Sequence, residues 1–282
     1  ILVPADFDIR GRGELQPVVV RDIFAPTDGT VREVRVKTGD PVHAFDPGLA
    51  EERALVLMEN ADLELEFRRV TGEMQTAEKR LSAIKAARLE NRPGSANYSP
   101  AEDEQLTAEQ EELNKTLESL RDQLKILEQQ RADLVVGSPL DGEVLTWEVG
   151  ELLDSRPVQW GQVLMTVADL DGPWELQLRV PDDHINHVQD AQQADEPLKV
   201  TFFLGTDPGV TYEGEVDEIA LATESDEQEG ATVLMTVKFD RDQLPRLRPG
   251  ATVVGKIHCG QRPIGYVWLH DLWDAVQTWV LF

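Results

Sequence analysis

The chain has 282 residues, 27 basic and 53 acidic, for a formal net charge of −26. That balance argues against a nucleic-acid binder, which needs clustered Lys and Arg to displace counterions, and a solvated surface is the plain account of the acidic excess. A lone cysteine, Cys259, excludes an internal disulfide framework. It ends a β-like run and reads as a small buried residue. No stretch approaches the ~20 apolar residues of a membrane span. The length allows two or three modest domains, and a start at Ile1 rather than Met leads us to expect a signal or anchor upstream.

In chain order, residues 1–22 offer one short candidate strand, 15–20, expected to join a later β-region. Residues 25–31 then read APTDGTV, a phrase that returns at 138–144 as SPLDGEV. The copies share Pro26/Pro139, Asp28/Asp141, Gly29/Gly142, Val31/Val144 and Val36/Val149, with Val34 opposite Trp147. Asp-Gly is expected to supply the positive φ of a tight turn, and the alternating apolar residues after it suit a half-buried strand. Each copy reaches a second turn, Gly39-Asp40 or Gly150-Glu151. The second copy continues through Val158, Gly161, Leu164 and Val167. Neither half has enough surface to bury alone. Residues 23–60 and 135–171 are therefore predicted to close on each other as one flattened β-sandwich.

Between the copies, 61–134 is helical. Apolar residues recur at steps of four and three: Leu63, Phe67, Val70, Met74, Ala77, Leu81 and Ile84. A second series runs Leu106, Leu113, Leu117, Leu120, Leu124, Leu127 and Leu134, with Gln110 and Arg131 in its gaps. These are heptad seams. NRPGSANYSP separates them with helix-stopping Pro and Gly. Ser99-Pro100-Ala101-Glu102 restarts a helix as N-cap, first-turn Pro and capping-box Glu. Run antiparallel, the series match pair by pair, Val70 with Leu127, Ala77 with Leu120, Leu81 with Leu117. The expected α-hairpin has arms of ~30 residues, about 45 Å at 1.5 Å per residue. Arg131 falls opposite Phe67, placed for a cation–π pair. Arg88 falls opposite Gln110, making the seam polar before the loop. Fraying at the hairpin end explains that polarity as well as a partner does.

From Pro173 the apolar period becomes two. WELQLRV puts Trp174, Leu176, Leu178 and Val180 on one face. KVTFFL, GEVDEIA and TVLMTVKF follow with turns between, which predicts a small antiparallel barrel over 172–260. Acidic ESDEQE reads as a hairpin loop. PDDHINHV brings Asp183, His184 and His187 close in sequence, but a metal site wants three or four ligands with outer support, so a polar turn is the simpler reading. The sequence has no Gly-rich phosphate loop, nucleophile elbow or HExxH, and no catalytic constellation is found. Residues 261–282 predict an amphipathic helix. Trp268, Trp273 and Trp279 lie on one side of it and Asp271 and Asp274 on the other, suited to packing on the barrel or to a membrane or transporter surface.

APTDGTVREVRVKTGDPV, SPLDGEV…VGELL…PVQWGQVL, the hairpin between them and the strands from PWELQLRV to LRPGATVVGKI together resemble the HlyD-type membrane fusion proteins, or periplasmic adaptors. The resemblance implies a mainly β, elongated chain: a split lipoyl-like β-sandwich, an inserted antiparallel coiled-coil hairpin and a small antiparallel β-barrel. It implies a non-enzymatic adaptor without cofactor, on the periplasmic side of the inner membrane. Such an adaptor serves an inner-membrane transporter, with an outer-membrane channel as a further partner, and assembles as a trimer or hexamer. Its docking residues would lie at the hairpin tip: Arg88, Asn91, Ser95, Asn97 and Tyr98. Two features depart from the family. The tip loop is longer than a tight turn, and the Arg-Leu-Ser type signature of channel-docking adaptors is not recognisable there. The alternative readings are a biotinyl or lipoyl carrier of an acyl- or carboxyl-transfer enzyme, and a stand-alone coiled-coil scaffold. A carrier needs its Lys at an exposed turn, whereas Lys79, Lys85, Lys115 and Lys125 fall on predicted helices.

Overall fold

The computed structural model describes residues 4–91, 99–192, 198–226, 230–244 and 246–263. The chain divides into two compact units, Val20–Ala168 and a second made from both flanks of it, against sequence boundaries of 23 and 171.

The first unit is a β-sandwich carrying an α-hairpin. Its strands before the hairpin are β2 (Val20–Phe24), β3 (Gly29–Val34), β4 (Pro41–Val42) and β5 (Ala54–Glu59). After the hairpin come β6 (Val135–Gly137), β7 (Gly142–Val144), β8 (Pro157–Val158) and β9 (Val163–Ala168). They form two four-stranded sheets, β2-β9-β7-β4 and β6-β5-β3-β8. Each sheet takes two strands from either side of the insertion, so neither half can satisfy its backbone hydrogen bonds alone. Ile23, Val31, Val56, Val144, Val149, Met165 and Val167 fill the core between the sheets.

Three local expectations change here. Gly29 and Gly142 are not among the positive-φ glycines; Gly39 and Gly161 are, at φ 80° and 76°. The repeated glycines instead begin strands where a neighbour's backbone passes too close for a side chain. A Cβ on Gly29 would lie 2.6 Å from the Glu59 carbonyl oxygen, and one on Gly142 2.3 Å from that of Ala168. The second copy also has no turn at Gly150-Glu151. Glu148 takes φ 48°, and a short helix, α3 (Val149–Leu153), follows. Trp147, opposite Val34 in the aligned copies, is accordingly 71% exposed.

The hairpin helices are α1 (Ala61–Glu90) and α2 (Pro100–Asp133). Val70, Ala77, Leu81, Leu117, Leu120 and Leu124 are buried in their seam, flanked by Phe67, Met74, Leu113 and Leu127. Leu134 caps α2 and packs on the sandwich core instead of the seam. Ser99 is the N-cap of α2, its side chain accepting from the Glu102 N–H, with Pro100 in the first turn.

The second unit is a closed six-stranded barrel. Its strands are β1 (Pro4–Pro17), β10 (Trp174–Pro181), β11 (Lys199–Leu204), β12 (Asp207–Asp226), β13 (Gly230–Phe239) and β14 (Ala251–Pro263), in the order β1-β10-β13-β12-β11-β14. The N-terminal strand is thus longer than the expected 15–20, and it closes the barrel between β10 and β14. Its inward positions include Phe7, Ile9 and Leu15, with Gly11 and Gly13 between them. A Cβ at Gly13 would sit 1.8 Å from the Gln177 carbonyl oxygen, so that inward position is glycine by close approach. Trp174, Leu176, Leu178 and Val180 are all buried. The expected polar turn at PDDHINHV is instead a 3₁₀ turn followed by α4 (Ile185–Gln192), whose Ile185 and Val188 enter the barrel core.

Candidate partner-docking site

The upper hairpin is polar for reasons of closure. The Arg88 guanidinium spans the helices, donating from Nη1 to Gln110 Oε1 at 2.8 Å and reaching Asp103 at 3.3 Å. Asn91 is only 8% exposed. Its amide donates to the Ser99 carbonyl at 3.1 Å and accepts the Ser99 N–H at 2.9 Å. Asn91 therefore mimics a strand partner and pins the two ends of the loop together, so its polar groups are spent within the hairpin. Of the expected docking residues, Arg88 and Asn91 are brought together here, while Ser95, Asn97 and Tyr98 lie outside the described residues.

Lower on the hairpin, the Arg131 guanidinium carbon lies 4.4 Å from the Phe67 ring centroid, and Arg131 Nε is 3.3 Å from Glu64. Arg121 reaches Glu78 across the helices at 3.8 Å. At the base, the Asn60 side chain caps α1 by accepting from the Leu63 N–H at 2.9 Å and donates to the Asp28 carbonyl at 2.8 Å. Asn60 thereby joins the hairpin to the repeated Asp-Gly segment. Sequence reading passed over it, although Asn directly before a heptad run is an N-cap signal.

The weak metal candidates do not assemble. His184 Nε2 is 3.9 Å from Asp183, beyond any coordinating geometry, and the His187 ring packs edge-on to Phe7 at 5.3 Å. Among the described residues no group of three His, Cys, Asp or Glu is placed to hold a metal ion. Trp268, Trp273 and Trp279 lie outside the described residues.

One constellation with catalytic connectivity is present on the barrel. Thr201 Oγ1 lies 2.7 Å from His258 Nε2, and His258 Nδ1 lies 2.8 Å from Asp8. That is the order of a hydroxyl nucleophile, its base and an orienting acid. Thr201, however, sits inside β11, paired with β12 on one side and β14 on the other. Its neighbours' backbone N–H groups belong to those ladders, so no oxyanion donor accompanies the hydroxyl. The three side chains tie adjacent strands.

No family model matches the sequence. No curated protein matches it either. Solved structures do match in fold. MacA from Actinobacillus actinomycetemcomitans superposes with a TM-score of 0.68 at 17% identity, over 92% of this chain and 81% of that one. The membrane fusion protein Spr0693 from Streptococcus pneumoniae R6 gives 0.60 at 17%, over 88% and 98%. ZneB from Cupriavidus metallidurans gives 0.60 at 19%, over 90% and 98%. The likeness extends over both units, and the chain has the fold of a membrane fusion protein.

Proposed function

We propose that this chain is a non-enzymatic adaptor on the periplasmic side of the inner membrane, linking an export transporter to partners in the envelope. The observation that carries the reading is the construction of the sandwich: both sheets combine strands from before and after the hairpin. A helical rod held at both ends by a folded base has its direction fixed by that base, as a reaching element requires. Arms of 30 and 34 residues give a rod of roughly 45–50 Å at 1.5 Å per residue. The tip, from Arg88 through Tyr98, is its docking end, and Trp268, Trp273 and Trp279 supply a membrane or transporter contact. The carrier alternative gains nothing from the structure, since Lys79, Lys85, Lys115 and Lys125 all stand on α1 or α2.

Photo-crosslinking in cells from Ser95 and Asn97, followed by identification of the captured protein, tests the reading. Capture of an envelope protein is expected, and capture of cytosolic proteins alone would refute it. Liposome flotation with and without residues 266–282 tests the tryptophan contact, where equal flotation removes the membrane role.

A further inference from the structure

The barrel exterior carries two opposed bands of charge. On β1, outward-facing Arg10 and Arg12 are exposed, alternating with buried inward positions. In register, Arg12 lies opposite Arg179 of β10, and Arg10 lies opposite Lys256 of β14. Like charges directly across a ladder destabilise a sheet. Two such pairs nevertheless adjoin across three strands, in a chain whose net charge is −26. On β12 the exposed residues include Glu213, Glu215, Asp217 and Glu218. Lys238 engages Asp217 at 2.7 Å, and Lys199 stands opposite Glu215, leaving the band acidic. The closed order β1-β10-β13-β12-β11-β14 puts β12 three strands from β1 in either direction. The basic and acidic bands therefore lie on opposite sides of one barrel.

We propose that these barrels associate side by side, the Arg10–Arg12–Arg179–Lys256 face of one copy docking on the β12 face of a second copy. The contact is head-to-tail. Each copy keeps one free face of either sign, so the same contact repeats around a ring or along a row. The partner is another copy of this chain because it offers an acidic band on a surface of the same height and curvature. An anionic bilayer would meet the repulsion of the whole negatively charged chain. The inference does not depend on the adaptor reading and stands or falls with the charge bands alone.

Sedimentation velocity on the full chain tests it at low salt and at ~0.5 M salt, where the Debye length falls below about 5 Å. Wild type is expected to associate at low salt and dissociate at high salt. Arg10→Glu/Arg12→Glu leaves both faces acidic, and Glu213→Lys/Glu218→Lys leaves both basic. Each variant alone should self-associate roughly ten- to hundredfold more weakly. Mixing the two should restore assembly, and so should one chain carrying all four changes, which also shows that the variants fold. Salt-independent association, a wild type that stays monomeric at low salt, or a mixture that stays dissociated would each overturn the proposal. So would loss of flotation with phosphatidylglycerol vesicles in Arg10→Glu/Arg12→Glu with self-association unchanged, which would assign the basic face to lipid.

Discussion

The Asp28 carboxylate accepts the backbone N–H of Trp160 at 2.8 Å, across the entire hairpin insertion. Asp141 makes the same bond to the Ala44 N–H at 3.1 Å. Trp160 follows Pro157-Val158 and Ala44 follows Pro41-Val42, each by the same spacing. The equivalence extends along the backbone. Ala25 accepts from Gly161 at 2.9 Å as Ser138 accepts from Phe45 at 2.7 Å, and Val31 donates to Arg156 at 2.9 Å as Val144 donates to Asp40 at 3.2 Å. Each Asp-Gly strand is completed by the Pro-Val strand of the other half. The chain repeats its phrase because the sandwich closes about an approximate two-fold axis.

Replacing Asp28 with Ala removes the acceptor of the Trp160 N–H. Since the group is exposed and water can substitute, urea unfolding should show a loss of about 1 kcal/mol. The partner carboxylate has a pH signature. The Ala44 N–H, followed by His43 at 3.1 Å, holds the Asp141 carboxyl below its usual range. A depressed folded pKa stabilises above the unfolded pKa of ~3.9 and loses that contribution as pH falls through the folded value. The stability difference between wild type and Asp141→Asn should therefore be full at neutral pH and shrink below about pH 4. A constant difference down to pH 3 would contradict it.

Gly29 and Gly142 test the steric account. In each, an added Cβ would meet a backbone carbonyl that cannot rotate away, at 2.6 and 2.3 Å. Gly29→Ala and Gly142→Ala should each cost roughly 1–3 kcal/mol. At Gly150, in α3, an added Cβ meets nothing within 4 Å. Gly150→Ala should be neutral or stabilise by up to ~1 kcal/mol. Thermal melts of the three variants give the comparison, and equal losses would mean that conformational freedom rather than close approach decides.

The hairpin was the most legible part, because a heptad seam names its own partner. Arg131 over Phe67 and Arg88 against Gln110 both stand at the expected register. The sandwich could be inferred from the repeat, but not which strand pairs with which, because a two-residue strand such as Pro41–Val42 carries no periodicity. Strand β1 was foreshortened in the sequence because inward Gly11 and Gly13 erase the alternation between Ile9 and Leu15. Helix α4 was hidden because it offers only Ile185 and Val188 to the core. At the candidate site, Arg88 was visible as a break in the seam. The loop-closing role of Asn91 was not, since an Asn beside Pro and Gly reads as ordinary turn composition.

Truncation in the seam should cost more than removal of its polar clasps. Leu117 is 2% exposed, and Leu117→Ala should lose about 2–5 kcal/mol through the cavity it leaves. Arg131→Ala removes the cation–π contact with Phe67 and should lose only ~0.5–1 kcal/mol. Chemical denaturation followed by helical circular dichroism checks both. A Leu117→Ala loss no larger than that of Arg131→Ala would mean that the arms are not held by their seam.

The Thr201–His258–Asp8 chain makes the last prediction. It crosses β11, β14 and β1, so it fastens the N-terminal strand to its neighbour at the point where the barrel closes. With Nδ1 protonated toward Asp8, His258 Nε2 accepts the Thr201 hydroxyl, and both side-chain bonds are made by one neutral imidazole. Thr201→Val and Asp8→Asn should each cost about 0.5–1.5 kcal/mol. Because they act through one ring, the double variant should fall short of additivity by roughly 0.5 kcal/mol or more. Hydrogen exchange locates the effect: the amides of β1 and β14 should exchange faster in His258→Leu, while the seam of the hairpin keeps its protection. Uniform acceleration across both units would show that the ring does not act at the closure, and ester hydrolysis lost with Thr201→Val would show that the relay is catalytic after all.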